Sequence, residues 1–269
     1  MNIGLLGFGV VGGGVWELAQ ENRALNVKKV LVRREAPSLG KAAVQDVEAI
    51  LRDTEIDTVV EVLGGLHPAY EWICRALAAG KDVVTANKAV ISAYYRELTA
   101  LARENGVALR CTAAVGGGIP WLVNLQRCRR VDTVTEVGGI MNGTTNFIMD
   151  AMARQGADFP AVLQRAQELG YAEADPSADI DGDDIRRKLT ISANIAFDAL
   201  LREEDIPAFG IRTVTGADVA DFRAHGFTCK LLACAQRTET GVAAYVEPAL
   251  VAEGEPEAAV PGNYNLISC

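Results

Sequence analysis

The chain has 269 residues, 49% hydrophobic and 23% charged, with a formal net charge of −9. That supplies a large core for one or two domains, and the acidic balance argues against a nucleic-acid or anionic-membrane partner. Six scattered cysteines form no CxxC and have only His67 and His225 to join them, so zinc is not expected. With no signal-peptide pattern and no apolar run of spanning length, the chain reads as cytoplasmic, in a reducing compartment. Two histidines leave lysine and carboxylates as the expected carriers of any acid/base chemistry.

The first half alternates. Asn2 to Leu6 reads as an apolar strand and Val10 to Arg23 as a helix, with Gly7-Phe8-Gly9-Val10-Val11-Gly12 joining them. In that position GxGxxG is a dinucleotide loop. The first glycine permits the turn, the second admits a pyrophosphate, and the third allows close packing of helix on strand. The helix amides then face the phosphates. The alternative is a purely structural turn. Gly13 and Gly14 continue the run; each costs a helix about 1 kcal/mol relative to alanine, which points to close approach of another backbone or a ligand.

Val27 to Val32 is the second strand and runs into Arg33-Arg34. An acid at that strand end selects NAD, whereas arginine suits the 2′-phosphate of NADP. Glu35 follows at once and leaves NAD open. The alternative is a pair of surface charges. Helical patterns follow at Val47 to Arg52, Ala69 to Ala79 and Ser92 to Glu104, the last with Ser92 as N-cap. Strands are expected at Asp57 to Val62, Asp82 to Thr85 and Ala108 to Thr112. Lys88, in Val83-Val84-Thr85-Ala86-Asn87-Lys88-Ala89, stands past a strand end, where ligands bind in open α/β sheets. It faces a nicotinamide, a substrate carboxylate or simply solvent. Val115-Gly116-Gly117-Gly118-Ile119-Pro120 reads as a contact loop for substrate, cofactor or a hard cation, or as a hinge.

After Gly118 the rhythm changes. Helices are expected at Ile119 to Cys128, Asn146 to Arg154 and Phe159 to Glu168. Strands are expected at Thr133 to Ile140, Phe227 to Ala235 and Val242 to Val251. In the turn Gly138 to Asn146, Thr144 or Thr145 caps the helix, and free amides there suit a carboxylate or a ring amide. The fold class is therefore α/β, a Rossmann-type doubly wound parallel sheet over 1–125, followed by an α+β domain over 126–269.

Between Gly170 and Lys188 lie six carboxylates, Glu173, Asp175, Asp179, Asp181, Asp183 and Asp184, before the sequence turns basic at Arg186-Arg187-Lys188. A helix is expected from Asp184 to Leu201, with Ile185, Leu189, Ser192, Ala196 and Leu200 on one stripe. Asp184 and Lys188 are four apart and share a side bordering that stripe. A lysine at a dry margin beside a carboxylate is suited to proton transfer. The alternative is a solvated acidic loop with an ordinary helix-start ion pair.

Five ordered segments, GFGVVGGG, VVTANKA, AAVGGGIP, GGIMNGTTNFI and GYAEADPSADIDGDDIRRK, make the chain resemble homoserine dehydrogenase, most clearly over Asn2 to Asn194. The resemblance implies NAD(P)H-dependent interconversion of L-aspartate 4-semialdehyde and L-homoserine, on the route to threonine and methionine. It implies Lys188 as the catalytic lysine with Asp184 beside it. It also implies Glu173, Asp179, Lys88 and Thr144 as substrate contacts, Lys88 lying near the nicotinamide as well. A sodium-like cation would be held by the carbonyls of Thr112, Val115, Gly117 and Ile119; family members often carry glutamate at the position of Thr112. The second domain would bind substrate and form a homodimer. Relative to the family the chain stops early, at Asn265 to Cys269, which suggests a truncated or differently ended form without an appended regulatory domain. The alternative function is a catalytically inactive NADP-binding fragment or interaction module. A cysteine-nucleophile semialdehyde dehydrogenase is disfavoured, because no cysteine sits in an activating motif.

Overall fold

The computed structural model describes residues 1–34 and 36–269. Glu35, and with it the reading that leaves NAD open, lies outside the described residues. The chain forms two compact units, Met1–Pro120 and Trp121–Cys269.

The first unit is built on six strands: β1 (Asn2–Leu6), β2 (Asn26–Leu31), β3 (Ala43–Val44), β4 (Thr58–Glu61), β5 (Asp82–Thr85) and β6 (Leu109–Arg110). All pair in parallel, in the order β3-β2-β1-β4-β5-β6. Helices α1 (Val10–Glu21), α2 (Glu48–Leu51), α3 (Ala69–Ala78) and α4 (Lys88–Glu104) make the connections. Parallel strands covered on both faces must be apolar throughout, and β4 is buried along its whole length. Ile3, Leu5, Val30 and Val60 pack with Ala19 of α1 into one core cluster. The strand order reverses beside β1, the switch point at which such sheets bind ligands.

The start of α4 corrects the sequence reading. The cap is Asn87, whose side chain accepts from the Val90 amide at 3.3 Å. Ser92 lies inside the helix, 5% exposed, and its hydroxyl has no hydrogen-bond partner among the described residues. The backbone leaves helical geometry at Tyr94 (φ −130°, ψ 18°). Serine is a common N-cap residue, but here it lies one turn inside the helix that Asn87 starts.

The second unit carries α5 (Trp121–Cys128), β7 (Glu136–Ile140), α6 (Gly143–Gln155), α7 (Phe159–Glu168), α8 (Ser177–Ile180), α9 (Asp183–Phe197), α10 (Gly216–Ala224), β8 (Phe227–Thr238), β9 (Gly241–Ala252) and β10 (Leu266–Ser268). The strands form an antiparallel sheet in the order β10-β7-β8-β9. Helices α6, α9 and α10 pack against β8. Gly138 and Gly139 let the neighbouring strands close in: a Cβ would lie 2.5 Å from Ala233 O at the first and 2.2 Å from Leu266 O at the second.

Helix α9 stops before the expected end. Asp198 takes a left-handed conformation (φ 54°, ψ 39°), and Asn194 bonds both the amide and the carbonyl of Leu201 at 2.8 Å. Ile185, Leu189, Ser192 and Ala196 are buried as the stripe requires, whereas Leu200 lies beyond the helix and is exposed. The left-handed residue ends the hydrogen-bond ladder before the stripe reaches Leu200. Among the described residues no helix is long and apolar enough to cross a membrane.

Candidate active site

In the first unit the glycine loop divides its labour residue by residue. Gly7 holds φ +105°, a conformation only glycine adopts freely. A Cβ at Gly12 would lie 2.3 Å from Gly7 O, so that glycine allows α1 to close on the loop. Among the described residues a Cβ at Gly9 would meet no atom within 4 Å. Gly9 is also the N-cap of α1 and offers no side chain to its amides. The first-turn N–H groups, with Val10 and Val11 exposed, are therefore left for an external acceptor. At Gly13 and Gly14 a Cβ would meet nothing within 4 Å among the described residues, so of the two expected neighbours, another backbone or a ligand, the first is absent there.

Gly7, Phe8 and Gly9 line a cavity of about 610 Å³ whose wall also includes Arg33, Arg34, Pro68 and Trp72. Backbone amides, two guanidinium side chains and an indole in one cavity fit a nucleotide carrying an extra phosphate.

Beneath the ends of β4 and β5 lies a buried carboxylate that the sequence reading passed over. Glu61 is 0% exposed. It accepts from Thr85 Oγ1 at 2.6 Å, from the Leu63 amide at 2.8 Å and from Asn87 Nδ2 at 3.3 Å. Asn87 Nδ2 also donates to Gly65 O at 2.7 Å, and the Asn87 amide to Thr85 Oγ1 at 2.9 Å. Asn87 thus ties the turns after β4 and β5 together and starts α4, whose first residue is the half-buried Lys88. The available signal was a lone acid closing an otherwise apolar strand, Thr58-Val59-Val60-Glu61.

Thr112, Val115, Gly117 and Ile119 lie along one irregular turn after β6. Thr112 O accepts a long 3.4 Å bond from the Val115 amide, and Gly116 and Gly117 hold φ of +82° and +57°. Carbonyl oxygens on such a turn are hard donors of the kind a sodium-like cation takes.

In the second unit, Lys188 and Asp184 face each other from successive turns of α9. Lys188 Nζ lies 2.7 Å from Asp184 Oδ2, and the side chains are only 14% and 9% exposed. The same ammonium donates to Met141 O at 2.6 Å. An ammonium has three N–H donors, so these two contacts fix its direction and leave a third. Asn142 completes the cluster. Its Nδ2 donates to Asp179 Oδ1 at 2.7 Å and to Asp184 Oδ2 at 2.9 Å. Its Oδ1 accepts from the Thr145 amide at 2.9 Å and so caps α6.

Asn142, which the sequence reading did not single out, therefore takes the capping role expected of Thr144 or Thr145. Its signal was a capping-type residue three before Thr145, just ahead of the helix. Thr144 is buried at 7% exposure and its hydroxyl donates to Tyr171 O at 2.6 Å. The amides of Gly143 and Thr144 fall in the first turn of α6, where no helical acceptor exists.

The six carboxylates divide. Asp184 pairs with Lys188 directly, and Asn142 ties Asp179 to Asp184. Asp181 forms a two-pronged pair with Arg212, at 2.8 and 2.7 Å, and that guanidinium holds its carboxyl below the usual range. Asp183 pairs with Arg186 at 2.6 Å, and Asp175 accepts from the Ser177 amide at 3.1 Å. Glu173 stands exposed on the turn before α8. Among the described residues no hydrogen bond joins its carboxylate to the cluster. One ammonium against two carboxylates leaves the cluster with formal charge −1, which suits a cationic group on a ligand.

Comparison with known proteins bears on both units. The family profile described as Homoserine dehydrogenase matches residues 120–269, and that described as Homoserine dehydrogenase, NAD binding domain, matches residues 7–112. The homoserine dehydrogenase of Synechocystis sp. is 42% identical over 98% of this chain, and that of Bacillus subtilis 36% identical over 99%. The chain spans about 65% of the length of each of these curated relatives. Among solved structures, a homoserine dehydrogenase from Thiobacillus denitrificans superposes with a TM-score of 0.93 at 39% identity, covering 99% of this chain and 65% of that one. A hyperthermophilic archaeal homoserine dehydrogenase in complex with NADPH gives 0.82 at 26% identity, covering 99% of this chain and 86% of that one.

Proposed function

We propose that this chain, which belongs to the homoserine dehydrogenase family, interconverts L-aspartate 4-semialdehyde and L-homoserine with NADPH, Lys188 moving the proton. The observation that carries the reading is the Lys188 ammonium, held by Met141 O and Asp184 with one N–H left over.

NADPH, where bound, supplies the hydride. Gly7, Phe8, Gly9, Val10, Val11 and Gly12 cradle its pyrophosphate, Arg33 and Arg34 take the 2′-phosphate, and Lys88 serves the nicotinamide end and the substrate. As an aldehyde carbon gains hydride, negative charge builds on its oxygen. The third N–H of Lys188 stabilises that charge and then gives up the proton. Asp184 aims the ammonium, and Asn142 holds Asp184 in place. The substrate's ammonium goes to Asp179 and Glu173, and the first-turn amide of Thr144 takes a substrate or ring-amide oxygen. A sodium-like cation on the carbonyls of Thr112, Val115, Gly117 and Ile119 would stiffen the turn after β6. In this reading residues 1–125 bind nucleotide, and residues 126–269 bind substrate and pair two copies into a homodimer.

The test is NADPH oxidation with L-aspartate 4-semialdehyde, comparing this chain with Lys188→Ala. The variant should lose about 10²–10⁴-fold in kcat, the usual worth of a positioned acid, while NADPH binding holds. An inert parent chain that still binds NADPH would replace this reading with the non-catalytic module.

A further inference from the structure

Lys230, on β8, is 1% exposed and plays no part in the chemistry above. Its Nζ donates to Asn146 Oδ1 at 2.9 Å and to Val260 O at 2.8 Å. Burial pushes its pKa down, with Asp150 opposing that shift and Arg154 adding to it. Burying an ammonium costs free energy that an apolar side chain would avoid.

Asn146, also 1% exposed, shares its amide between the carbonyls of Val260 (3.3 Å), Gly262 (2.9 Å) and Tyr264 (3.1 Å). One turn further along α6, Asp150 accepts from the Gly262 amide at 2.9 Å. Segment 260–264, which precedes β10, is thus bound to α6 through backbone groups that no sheet uses. It presses on the first residue of that helix: a Cβ at Gly143 would lie 2.5 Å from Asn263 O. The two residues before Gly143 are Asn142, which holds Asp179 and Asp184, and Met141, whose carbonyl takes Lys188.

We infer that Lys230 and Asn146 are positioning residues, clamping segment 260–264 onto the first turn of α6 and so fixing Asn142 and Met141 against Asp184 and Lys188. The inference rests on the function proposed for that cluster. Lysine suits the task because its amine reaches the Asn146 oxygen and the Val260 carbonyl together. An apolar residue would leave the first of these buried and unbonded.

The test uses the full chain with Lys230→Met, and Asp150→Ala as a second variant that loosens the same segment from its outer side. Hydrogen exchange reads the amides of 260–264, NMR titration reads the Asp179 and Asp184 carboxyls without substrate, and steady-state kinetics read kcat and KM. In Lys230→Met, exchange at 260–264 should speed up and the two carboxyl titrations should move. Its kcat should fall about ten- to a hundredfold, as for a misplacement transmitted to reacting groups, while KM for NADPH stays unchanged. Asp150→Ala should move the same readouts in the same direction, by less, and it decides the matter alone if Lys230→Met does not fold. Faster exchange at 260–264 with wild-type carboxyl titrations and a wild-type pH–rate profile would make the clamp structural only and overturn the inference. An inactive wild-type chain would sink the proposed reaction, yet the carboxyl titrations would still decide the clamp.

Discussion

At the scale of single residues, the contact that does most is Asn142 Nδ2, which donates to two carboxylates while its Oδ1 caps α6. Asn142→Ala should therefore act twice. Loss of the cap should cost about 1 kcal/mol of stability by urea denaturation, and kcat should fall with it, since Asp184 loses the bond that aims it. Asn142→Asp would keep the cap acceptor but remove the donor and set a third carboxylate against the other two at a buried position, so it should recover neither the stability nor the turnover. Arg33→Ala with Arg34→Ala should weaken NADPH more than NADH, by about 1.5–3 kcal/mol for charge-assisted bonds to phosphate. Equal losses in a fluorescence titration would remove the 2′-phosphate from those side chains.

Lys230 belongs to the same scale. Its folded pKa lies below the ordinary 10.5 because of burial. Between those two values the unfolded chain binds a proton that the folded chain does not, so this residue's contribution to stability rises with pH there. Its burial penalty is thus fully present below the folded pKa and fades as the pH climbs towards 10.5. Urea unfolding of the parent chain against Lys230→Met should show a stability difference that shifts in favour of the parent as pH climbs through that window.

At the scale of elements, the clearest signals in the sequence were local. The glycine loop announced α1 because φ at Gly7 and the closeness of Gly12 to Gly7 O can be met by glycine alone. Strand alternation announced β1, β2, β4 and β5. The two-residue β3, the four-residue α8 and the weakly patterned α10 escaped, since none carries a period long enough to read. The start of α4 was misplaced because serine is a common N-cap residue, and the end of α9 because a left-handed Asp198 is a backbone event without a hydrophobic signature. Asp198 is exposed and holds φ 54°. Asp198→Gly should relieve that conformation and stabilise the chain by up to about 1 kcal/mol in thermal or urea unfolding, less the entropy that glycine adds to the unfolded state. A loss of stability would mean that Asp198 is held by more than its backbone.

At the scale of the whole molecule, the two units take different chemistry. The first lines a cavity with backbone amides, guanidinium groups and an indole; the second gathers an ammonium and carboxylates. The homodimer proposed for the second unit predicts a sedimentation mass twice 28.6 kDa, and a 28.6 kDa species at micromolar concentration would contradict it. With a net charge of −9, that measurement needs physiological salt, because self-repulsion at low ionic strength weakens association.

The sequence by itself determined the class of fold, the nucleotide loop and the pairing of Asp184 with Lys188, because each is written within a few residues by a turn, an alternation or a helical repeat. Only the tertiary structure decided which acids serve the lysine and what holds them. Asn142 meets Asp179 and Asp184 across 37 and 42 positions, and Lys230 meets Asn146 across 84. No local period spans such distances. Two amides and a buried amine acquire their roles only when α6, α9 and β8 have packed, since burial is what makes each of those bonds obligatory.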